Sequence, residues 1–472
     1  MYDREVISIW LILFMFHINV LVSEPSLNTI SSKDTSTTNK ITLKVALYPY
    51  LPDAGGDNYT GLLQFITDEF NKVYPDIALQ LRPLSTNDDF YDLNLLSKWL
   101  MADGSGYDIV EIDTVLLGDL VNIGLVAPQF INSRSQADWH AAANMAVQIN
   151  HAVYGFPHLL CAYFLYTRDQ RIAAVSTIDQ LMKILGDSPT DDYRLVGNMD
   201  SSWGLPALWI NSYQSSSNFS TETVAYALHG YTKSSFENML KLTGLCNRSR
   251  GENHCLDGTF REYQDMPAIL FAQNKTAAMF AYSEQLFNIL KDSSIDDYHN
   301  IKLTPLPIGT AHNQPLFFTD ALVFRRNMSD DMLNASGLFA EFMGTPRMQA
   351  ALVGSGDKPG SIPRYLLPIS KSAYDDPLLV NNRFYQTYFR NLTGLSCPTV
   401  GFLNARKQLQ ATILDYIGYA KVNSNTSNTS SSSSAASVYE GFGKNLLTYV
   451  WTLLLVLLQF SMYHCFPMIV IV

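Results

Sequence analysis

The sequence is poor in positive charge and has no cluster of lysine and arginine residues. Its 43 Asp and Glu residues outnumber the 32 Lys and Arg residues, which gives a formal net charge of −11. A nucleic acid would meet a repulsive field, so we exclude a nucleic-acid partner. Charged residues make up only 16% of the chain and hydrophobic residues 47%, a composition that excludes a disordered protein.

Cysteine is also scarce, because the chain contains only five such residues. Neither C-x-x-C nor H-E-x-x-H occurs and the histidines are scattered, so we expect no metal site. Cys246 and Cys255 bracket a short polar loop, which favours a local disulfide in an oxidising compartment. Cys161 and Cys397 either pair with each other or leave at least one thiol free, while Cys465 lies in the C-terminal tail.

The N-terminal end has the composition of a targeting segment. The apolar run from Val6 to Val22 has the length of a secretory signal sequence cleaved near Ser23. Residues 1–23 are therefore predicted to be a signal peptide, and residues 24–40 a polar leader. The segment before the run, MYDRE, is not basic, which leaves an uncleaved membrane anchor as the alternative.

The C-terminal end predicts attachment to a membrane. Residues 421–445 form a polar stalk and spacer rich in Ser, Asn and Thr, and residues 446–472 are apolar up to the last residue. Small residues at 434–436, a short spacer and a hydrophobic tail have the layout of a GPI-attachment signal. A C-terminal transmembrane helix is the alternative, since the tail is long enough to span a bilayer. We expect the protein on the extracellular face of the cell membrane, or secreted.

The sequence contains a coherent set of glycosylation sequons, as expected for a secreted chain. The predicted acceptors are Asn58, Asn218, Asn247, Asn274, Asn327, Asn334 and Asn391, and two further sequons, at Asn425 and Asn428, lie in or next to the stalk.

Residues 41–420 predict an α/β domain. Strand-like alternation and helical periodicity follow each other in turn, at 41–48, 60–74, 77–84, 93–101, 107–113 and 114–122. This order predicts a lobe with a largely parallel sheet. The apolar stretch at 152–169 then resembles a crossing into a second lobe.

Ligands of open α/β sheets lie beyond the carboxyl ends of the strands. The side chains predicted at such ends are Tyr48, Tyr50, Asp113, Tyr282, Glu284, Phe318 and Asp320. With Cys161 at the crossing, they would give a cleft with an aromatic wall, three carboxylates and a thiol, which suits a flat, nitrogen-rich, cationic ligand. Each also has a purely structural interpretation, because such carboxylates commonly cap helices and such cysteines are commonly buried.

Five segments of the chain resemble bacterial thiaminase I, which has the fold of a type II periplasmic solute-binding protein. One is the strand that ends at Asp113, together with the apolar residues after it. The other four are ITLKVALYPYLPD (41–53), VYGFPHLLCAYFLY (153–166), FAYSEQL (280–286) and LFFTDALV (316–323). The resemblance covers about residues 41–420. It implies a two-lobed α/β fold with the active site in the cleft between the lobes.

The resemblance also implies an activity, that of a thiamine pyridinylase. Such a transferase replaces the thiazole of thiamine by an amine or thiol through a covalent cysteine–pyrimidine adduct. By position, Cys161 matches the nucleophile and Glu284 the general base. Asp113 and Asp320 match the carboxylates that hold the aminopyrimidine, while Tyr48, Tyr50, Tyr282 and Phe318 match the aromatic residues of the cleft.

The resemblance implies two partners, thiamine and a small nucleophilic acceptor, and neither a cofactor nor a metal. We expect a monomer, with a disulfide between Cys246 and Cys255 and a free thiol at Cys161. One departure from the family is visible. Where the family tends to have Tyr-Ser-Asp, this chain has Phe318, Thr319 and Asp320. Ring stacking survives that change, but a hydrogen bond from the lost hydroxyl does not.

Two other functions compete with the transferase. A cell-surface binding protein would keep the cleft and capture thiamine or a related molecule without chemistry. A cysteine hydrolase would use Cys161 with His158 as its base, although no oxyanion-hole signature accompanies them. The presence of both a nucleophile and a base favours the transferase over the binding protein.

Overall fold

The computed structural model describes residues 40–426, except 86, 187–191, 217–219, 294–297 and 311–313. The predicted signal peptide, the leader up to residue 39, the stalk from residue 427 and the hydrophobic tail lie outside the described residues, as do Asn218 and Asn428. The last helix continues to Thr426, past the predicted domain boundary at residue 420. Within the described ranges, no helix combines the length and apolar character needed to cross a membrane.

The strands, numbered in chain order, are β1 Ile41–Ala46, β2 Ile77–Leu81, β3 Ile109–Asp113, β4 Gln148–Ile149, β5 Ala152–Val153, β6 Phe156–Thr167, β7 Tyr193–Val196, β8 Thr276–Tyr282, β9 Lys302–Pro305, β10 Leu316–Phe324, β11 Leu367–Pro368 and β12 Leu395–Ser396.

The helices of the first half are α1 Thr60–Val73, α2 Leu93–Trp99, α3 Leu117–Asn122, α4 Ser133–Asp138, α5 Ala141–Ala146, α6 Gln170–Ala173, α7 Ile178–Leu185, α8 Gly204–Ser215 and α9 Thr221–Tyr226. Those of the second half are α10 Lys233–Leu245, α11 Thr259–Glu262, α12 Met266–Ala272, α13 Gln285–Asp292, α14 Asp330–Met343, α15 Pro346–Val353, α16 Pro377–Val380, α17 Arg383–Arg390 and α18 Phe402–Thr426. Short 3₁₀ helices occupy Thr114–Leu116 and Lys371–Asp375.

The long strands form one mixed sheet in the order β2-β1-β3-β10-β6-β8-β7. The first three strands are parallel, as the alternating βα pattern predicts, while β10 runs antiparallel to both β3 and β6. Strand β1 buries Leu43 and Val45, and α1 packs its stripe of Leu62, Ile66 and Phe70 into the core. This amphipathic spacing explains why the segment is helical.

Strand β6 joins the two lobes of the sheet. Its first part, up to Ala162, pairs with β10 and β11, and its second part, from Tyr163, pairs with β8 and β9. The predicted crossing between lobes is therefore a single long strand. Cys161 lies at the point where β6 exchanges one set of neighbours for the other.

The loop that follows β1 is fixed by a buried ion pair. The guanidinium of Arg364 binds the carboxylate of Asp357, with Nη1 and Oδ1 separated by 2.6 Å, and its Nε donates to the carbonyl of Pro52 at 3.0 Å. The hydroxyl of Tyr59 donates to the carbonyl of Leu51 at 2.9 Å. These bonds hold the backbone next to Tyr50.

Cys246 is disulfide-bonded to Cys255, and Cys161 and Cys397 are both free. The sequons differ in their surroundings. The exposed acceptors are Asn58, Asn274, Asn327 and Asn334, whereas Asn247 and Asn391 are partly buried. The side-chain nitrogen of Asn391 donates to the carbonyl of Thr387 at 2.8 Å, a bond that a glycan on that nitrogen would have to displace.

Candidate active site

The sheet places Cys161 and Glu284 next to each other although they are far apart in the sequence. Cys161 lies in β6, opposite Phe318 of β10, and is partly exposed. Directly after β8, the backbone nitrogen of Ser283 donates to the carbonyl of Ala162 at 3.0 Å. Because Ala162 follows Cys161 and Ser283 precedes Glu284, this bond brings Cys161 and Glu284 close together. Their proximity therefore results from the pairing of β6 with β8.

The segment that carries Glu284 is held from beneath by two fully buried tyrosines. The hydroxyl of Tyr166 lies 3.2 Å from the carbonyls of Tyr282 and Ser283, and the hydroxyl of Tyr388 donates to the second of these at 3.1 Å. Glu284 precedes α13, but its side chain makes no capping hydrogen bond. Its carboxylate accepts instead from the hydroxyl of Ser283 at 3.3 Å. A helix cap therefore does not account for this carboxylate.

Burial shapes the acidity of both groups. It raises the pKa of the Glu284 carboxyl to about 7. It also raises the pKa of the Cys161 thiol well above its usual range, and the negative charges of Glu284, Asp320 and Asp113 add to that rise. A thiolate is therefore disfavoured at rest. The pair is a neutral thiol beside a carboxyl group that is basic enough to accept its proton near neutral pH.

Two further carboxylates face each other across neighbouring strands. Asp113, the last residue of β3, pairs in register with Asp320 of β10. Asp113 accepts from the backbone nitrogen of Val115 at 3.0 Å and from the hydroxyl of Tyr91 at 3.1 Å, so it both caps a 3₁₀ helix and faces a polar partner. Burial raises the pKa of Asp113 to about 6.

Asp320 differs from the sequence expectation in its position. Phe318 and Asp320 do not end a strand but lie inside β10, which continues to Phe324. A bulge in the pairing of β10 with β6 falls directly after Asp320, and there the chain can redirect side chains. Burial, followed by the charges of Glu111, Asp113 and Glu284, raises the pKa of Asp320 well above its usual range.

The aromatic residues predicted for the cleft form two groups. Tyr48 and Tyr50 lie with ring centroids 4.6 Å apart, Tyr48 buried and Tyr50 46% exposed. Tyr282 stacks on Tyr163 at 4.1 Å and meets Phe318 edge-on at 5.7 Å. Phe318 thus retains a ring contact without a hydroxyl.

Of the described residues, no set of three His, Cys, Asp or Glu is grouped as a metal site requires.

Tyr91 and Trp203 extend the aromatic wall and are not among the residues that the sequence predicts for the cleft. The hydroxyl of Tyr91 is hydrogen-bonded to that of Tyr48 and also donates to Asp113. Its ring lies 4.3 Å from Trp203, whose ring is 5.4 Å from Phe402. Tyr91 and Trp203 lie outside strands and helices, so no periodic pattern marks them.

His158 has a different role from the base of the hydrolase hypothesis. It is the extra residue at the β6 bulge, and its Nδ1 is hydrogen-bonded to the buried carboxylate of Glu111. Its Nε2 has no hydrogen-bond partner among the described residues, so the imidazole does not bind Cys161. The other oxygen of Glu111 accepts from the backbone nitrogen of Tyr48 at 3.0 Å. Glu111 lies two residues before Asp113, a spacing that places both on one face of a strand.

We expect Glu111→Gln to destabilise the protein by about 1–3 kcal/mol, because the amide cannot accept from both His158 and Tyr48 in the same way and leaves a buried group unsatisfied. Denaturant unfolding measures this loss. Glu262→Gln, at an exposed position on α11, is the matched control and should change stability little. Equal stabilities of the two variants would contradict a structural role for the Glu111–His158 pair.

No model of a known protein family matches the chain. The sequence is 24% identical to thiaminase-1 of Paenibacillus thiaminolyticus over 346 residues, which cover 71% of this chain and 77% of that protein. Thiaminase I of Clostridium botulinum, solved in complex with thiamin, has a TM-score of 0.63 at 18% identity and covers 80% of this chain and 100% of that one. Maltose-bound MalE3 of T. maritima has a TM-score of 0.55 at 14% identity, with 80% and 97% covered. The two-lobed α/β fold expected from the sequence is confirmed.

Proposed function

We propose that the protein is a thiaminase I-like transferase, which replaces the thiazole of thiamine by an amine or thiol. The observation that carries this proposal is the meeting of Cys161 and Glu284 beside the buried carboxylate of Asp113, the partly buried carboxylate of Asp320 and a wall of aromatic rings. A protein that only binds a ligand has no use for a nucleophile next to a base. The sequence similarity to thiaminase-1 supports the same activity.

The two aspartates offer complementary hydrogen bonds to an aminopyrimidine. Asp113 has a pKa of about 6, so at neutral pH it is largely ionised and accepts from the exocyclic amino group. Burial and the charges of Glu111, Asp113 and Glu284 raise the pKa of Asp320 well above its usual range, which favours its protonated form, and in that form the carboxyl donates to a ring nitrogen. The same acidic surroundings attract the positive charge of the thiazolium, and the aromatic rings suit both flat halves of the substrate.

The reaction begins when the sulfur of Cys161 adds to C6 of the pyrimidine while Glu284 takes the thiol proton. The electron pair gained by the ring then expels the thiazole, which leaves neutral with the electrons of the bond to the methylene. An amine or thiol adds to that methylene, and its proton passes to solvent as the net proton released by the exchange. The bond between carbon and sulfur breaks, the ring becomes aromatic again, and the thiolate recovers a proton from Glu284.

A non-catalytic binding protein is the second candidate. The fold similarity to a maltose-bound protein supports it, because that relative uses the same architecture to hold a ligand. Both candidates use the aspartates and the aromatic wall. They differ only in whether Cys161 and Glu284 act on the ligand.

Incubation of the purified protein with thiamine and an aromatic amine separates the two candidates. We expect mass spectrometry to find the free thiazole and the pyrimidine joined to the amine in equal amounts. Omission of the amine should slow the release of thiazole, because the adduct then has no good acceptor. Thiamine that is bound but remains whole with amines and thiols would support the binding protein and reject the transferase.

A further inference from the structure

An arginine lies at the outer end of the aromatic wall. Arg406 belongs to α18, and its guanidinium carbon is 4.1 Å from the centre of the Trp203 ring. One terminal nitrogen donates to the hydroxyl of Ser202 at 2.5 Å. The Nε atom is buried and has no hydrogen-bond partner among the described residues. The side chain as a whole is partly exposed, so the guanidinium retains capacity to bind a ligand.

Two separate routes connect Arg406 to the site. Along the wall, Trp203 contacts Tyr91, and Tyr91 donates to Asp113. Along α18, Phe402 lies one turn before Arg406, and its ring is 6.2 Å from that of Phe318, the cross-strand neighbour of Cys161. The wall therefore runs from the carboxylate that would hold the pyrimidine to a guanidinium at its far end.

The charge of Arg406 is unusual for its surroundings. The interior of the site carries Asp113, Asp320 and Glu284, which favour a cation. The charged group that acts on Arg406 from nearby is Asp89, yet no carboxylate lies within ion-pair distance of its guanidinium in the described part of the chain. A thiazolium alone would be repelled by a second cation. A guanidinium at this place strengthens binding only when the ligand brings an anion to it.

We propose that Arg406 binds an anionic phosphate carried on the thiazolium side of the substrate, so that phosphate esters of thiamine are preferred over thiamine itself. The proposal rests on the proposed function. With the pyrimidine at Asp113 and Asp320, the thiazolium extends along Tyr91 and Trp203, and its hydroxyethyl arm points toward Arg406. A phosphate on that arm meets the fork of guanidinium nitrogens that a phosphate recognises.

The test compares kcat/KM for thiamine and thiamine monophosphate with one neutral aromatic amine as acceptor. We expect the wild type to prefer the phosphate ester, and Arg406→Gln to reduce that preference about 10- to 100-fold, as for a charge-assisted hydrogen bond. Arg406→Lys should retain part of the preference because it keeps the charge. Lys407→Gln, at the exposed next position on α18, is the matched control and should leave the preference unchanged.

Equal losses with both substrates in Arg406→Gln would overturn the proposal, since they would show that the guanidinium only supports Trp203. A wild type without preference would overturn it too. An anionic acceptor is the other molecule that would bring an anion to Arg406, so the rates are also measured with such an acceptor. If Arg406→Gln lowers the rate with the anionic acceptor more than the rate with the phosphate ester, the guanidinium binds the acceptor and the proposal is wrong.

Calorimetric titration of the Cys161→Ser variant keeps this inference separate from the proposed function. Tighter binding of thiamine monophosphate than of thiamine, lost on addition of Arg406→Gln, would support the phosphate site even if the wild type cleaves neither compound. Cleavage of thiamine without that difference in affinity would reject the phosphate site and leave the transferase intact.

Discussion

Cys161→Ser is expected to abolish the cleavage of thiamine, with a loss of roughly 10⁴-fold or more, because removal of a covalent nucleophile disables every later step. Oxygen replaces sulfur with little change in volume, so the partly exposed site should tolerate the substitution. A hydroxyl is far less acidic than a thiol and cannot supply the anion that adds to the pyrimidine. Initial rates of thiazole release measure the effect, and calorimetry should show that thiamine still binds.

The second free thiol supplies the control. Cys397 is 2% exposed, and its backbone nitrogen donates to the carbonyl of Phe317. Cys397→Ala removes a thiol without touching the substrate, so it should retain most of the activity of the wild type. If Cys161→Ser cleaved thiamine at the rate of the wild type, the covalent mechanism would be wrong. Loss of activity in Cys397→Ala with unchanged stability would mean that the nucleophile is misassigned.

The site residues that could be predicted from the sequence are those that follow a short, regular strand. Asp113 and Tyr282 end strands of five and seven residues, and Tyr48 follows a strand of six, whose alternation is visible in the sequence. Glu111 was missed although the signal was present, since it alternates with Asp113 on the same face. Local periodicity places such residues well because each depends only on its own strand.

The remaining residues depend on contacts between distant segments. Asp320 lies inside β10, and it belongs to the site because β3 and β6 pair on either side of it. The bulge that turns His158 toward Glu111 is a property of the pairing, not of the sequence around it. Arg406 meets Trp203, although several helices lie between them in the sequence. No local pattern encodes such a meeting, and only the assembled sheet reveals it.

Glu284→Gln is expected to lower turnover by ~10²–10⁴-fold, the usual contribution of a general base. The amide keeps the shape of the side chain but cannot accept the proton of Cys161. Because burial raises the pKa of Glu284 to about 7, kcat/KM of the wild type should rise with pH through about 7 as the carboxylate forms. That rise should be missing from the pH profile of the variant.

The raised pKa of Glu284 also predicts that the wild type and Glu284→Gln differ in how their stability depends on pH. Unfolding measurements on both proteins test this difference and also show whether the variant is folded. In the folded protein the pKa of Glu284 is about 7, whereas in the unfolded protein it returns to the ordinary value of 4.5. The wild type therefore loses stability as pH rises from 4.5 through 7, because the folded state must bury a charge. Glu284→Gln carries no such charge and should lose less stability over that window, whereas the exposed control Glu262→Gln should follow the wild type.

The double variant decides whether Glu284 acts through Cys161. Both residues serve the transfer of one proton to form one bond, so the losses of Cys161→Ser and Glu284→Gln should not multiply. The double variant should be about as slow as Cys161→Ser alone. Multiplied losses would mean that Glu284 acts in a separate step, such as activation of the acceptor. A Glu284→Gln variant that keeps both its rate and its pH profile would place the base elsewhere in the cleft.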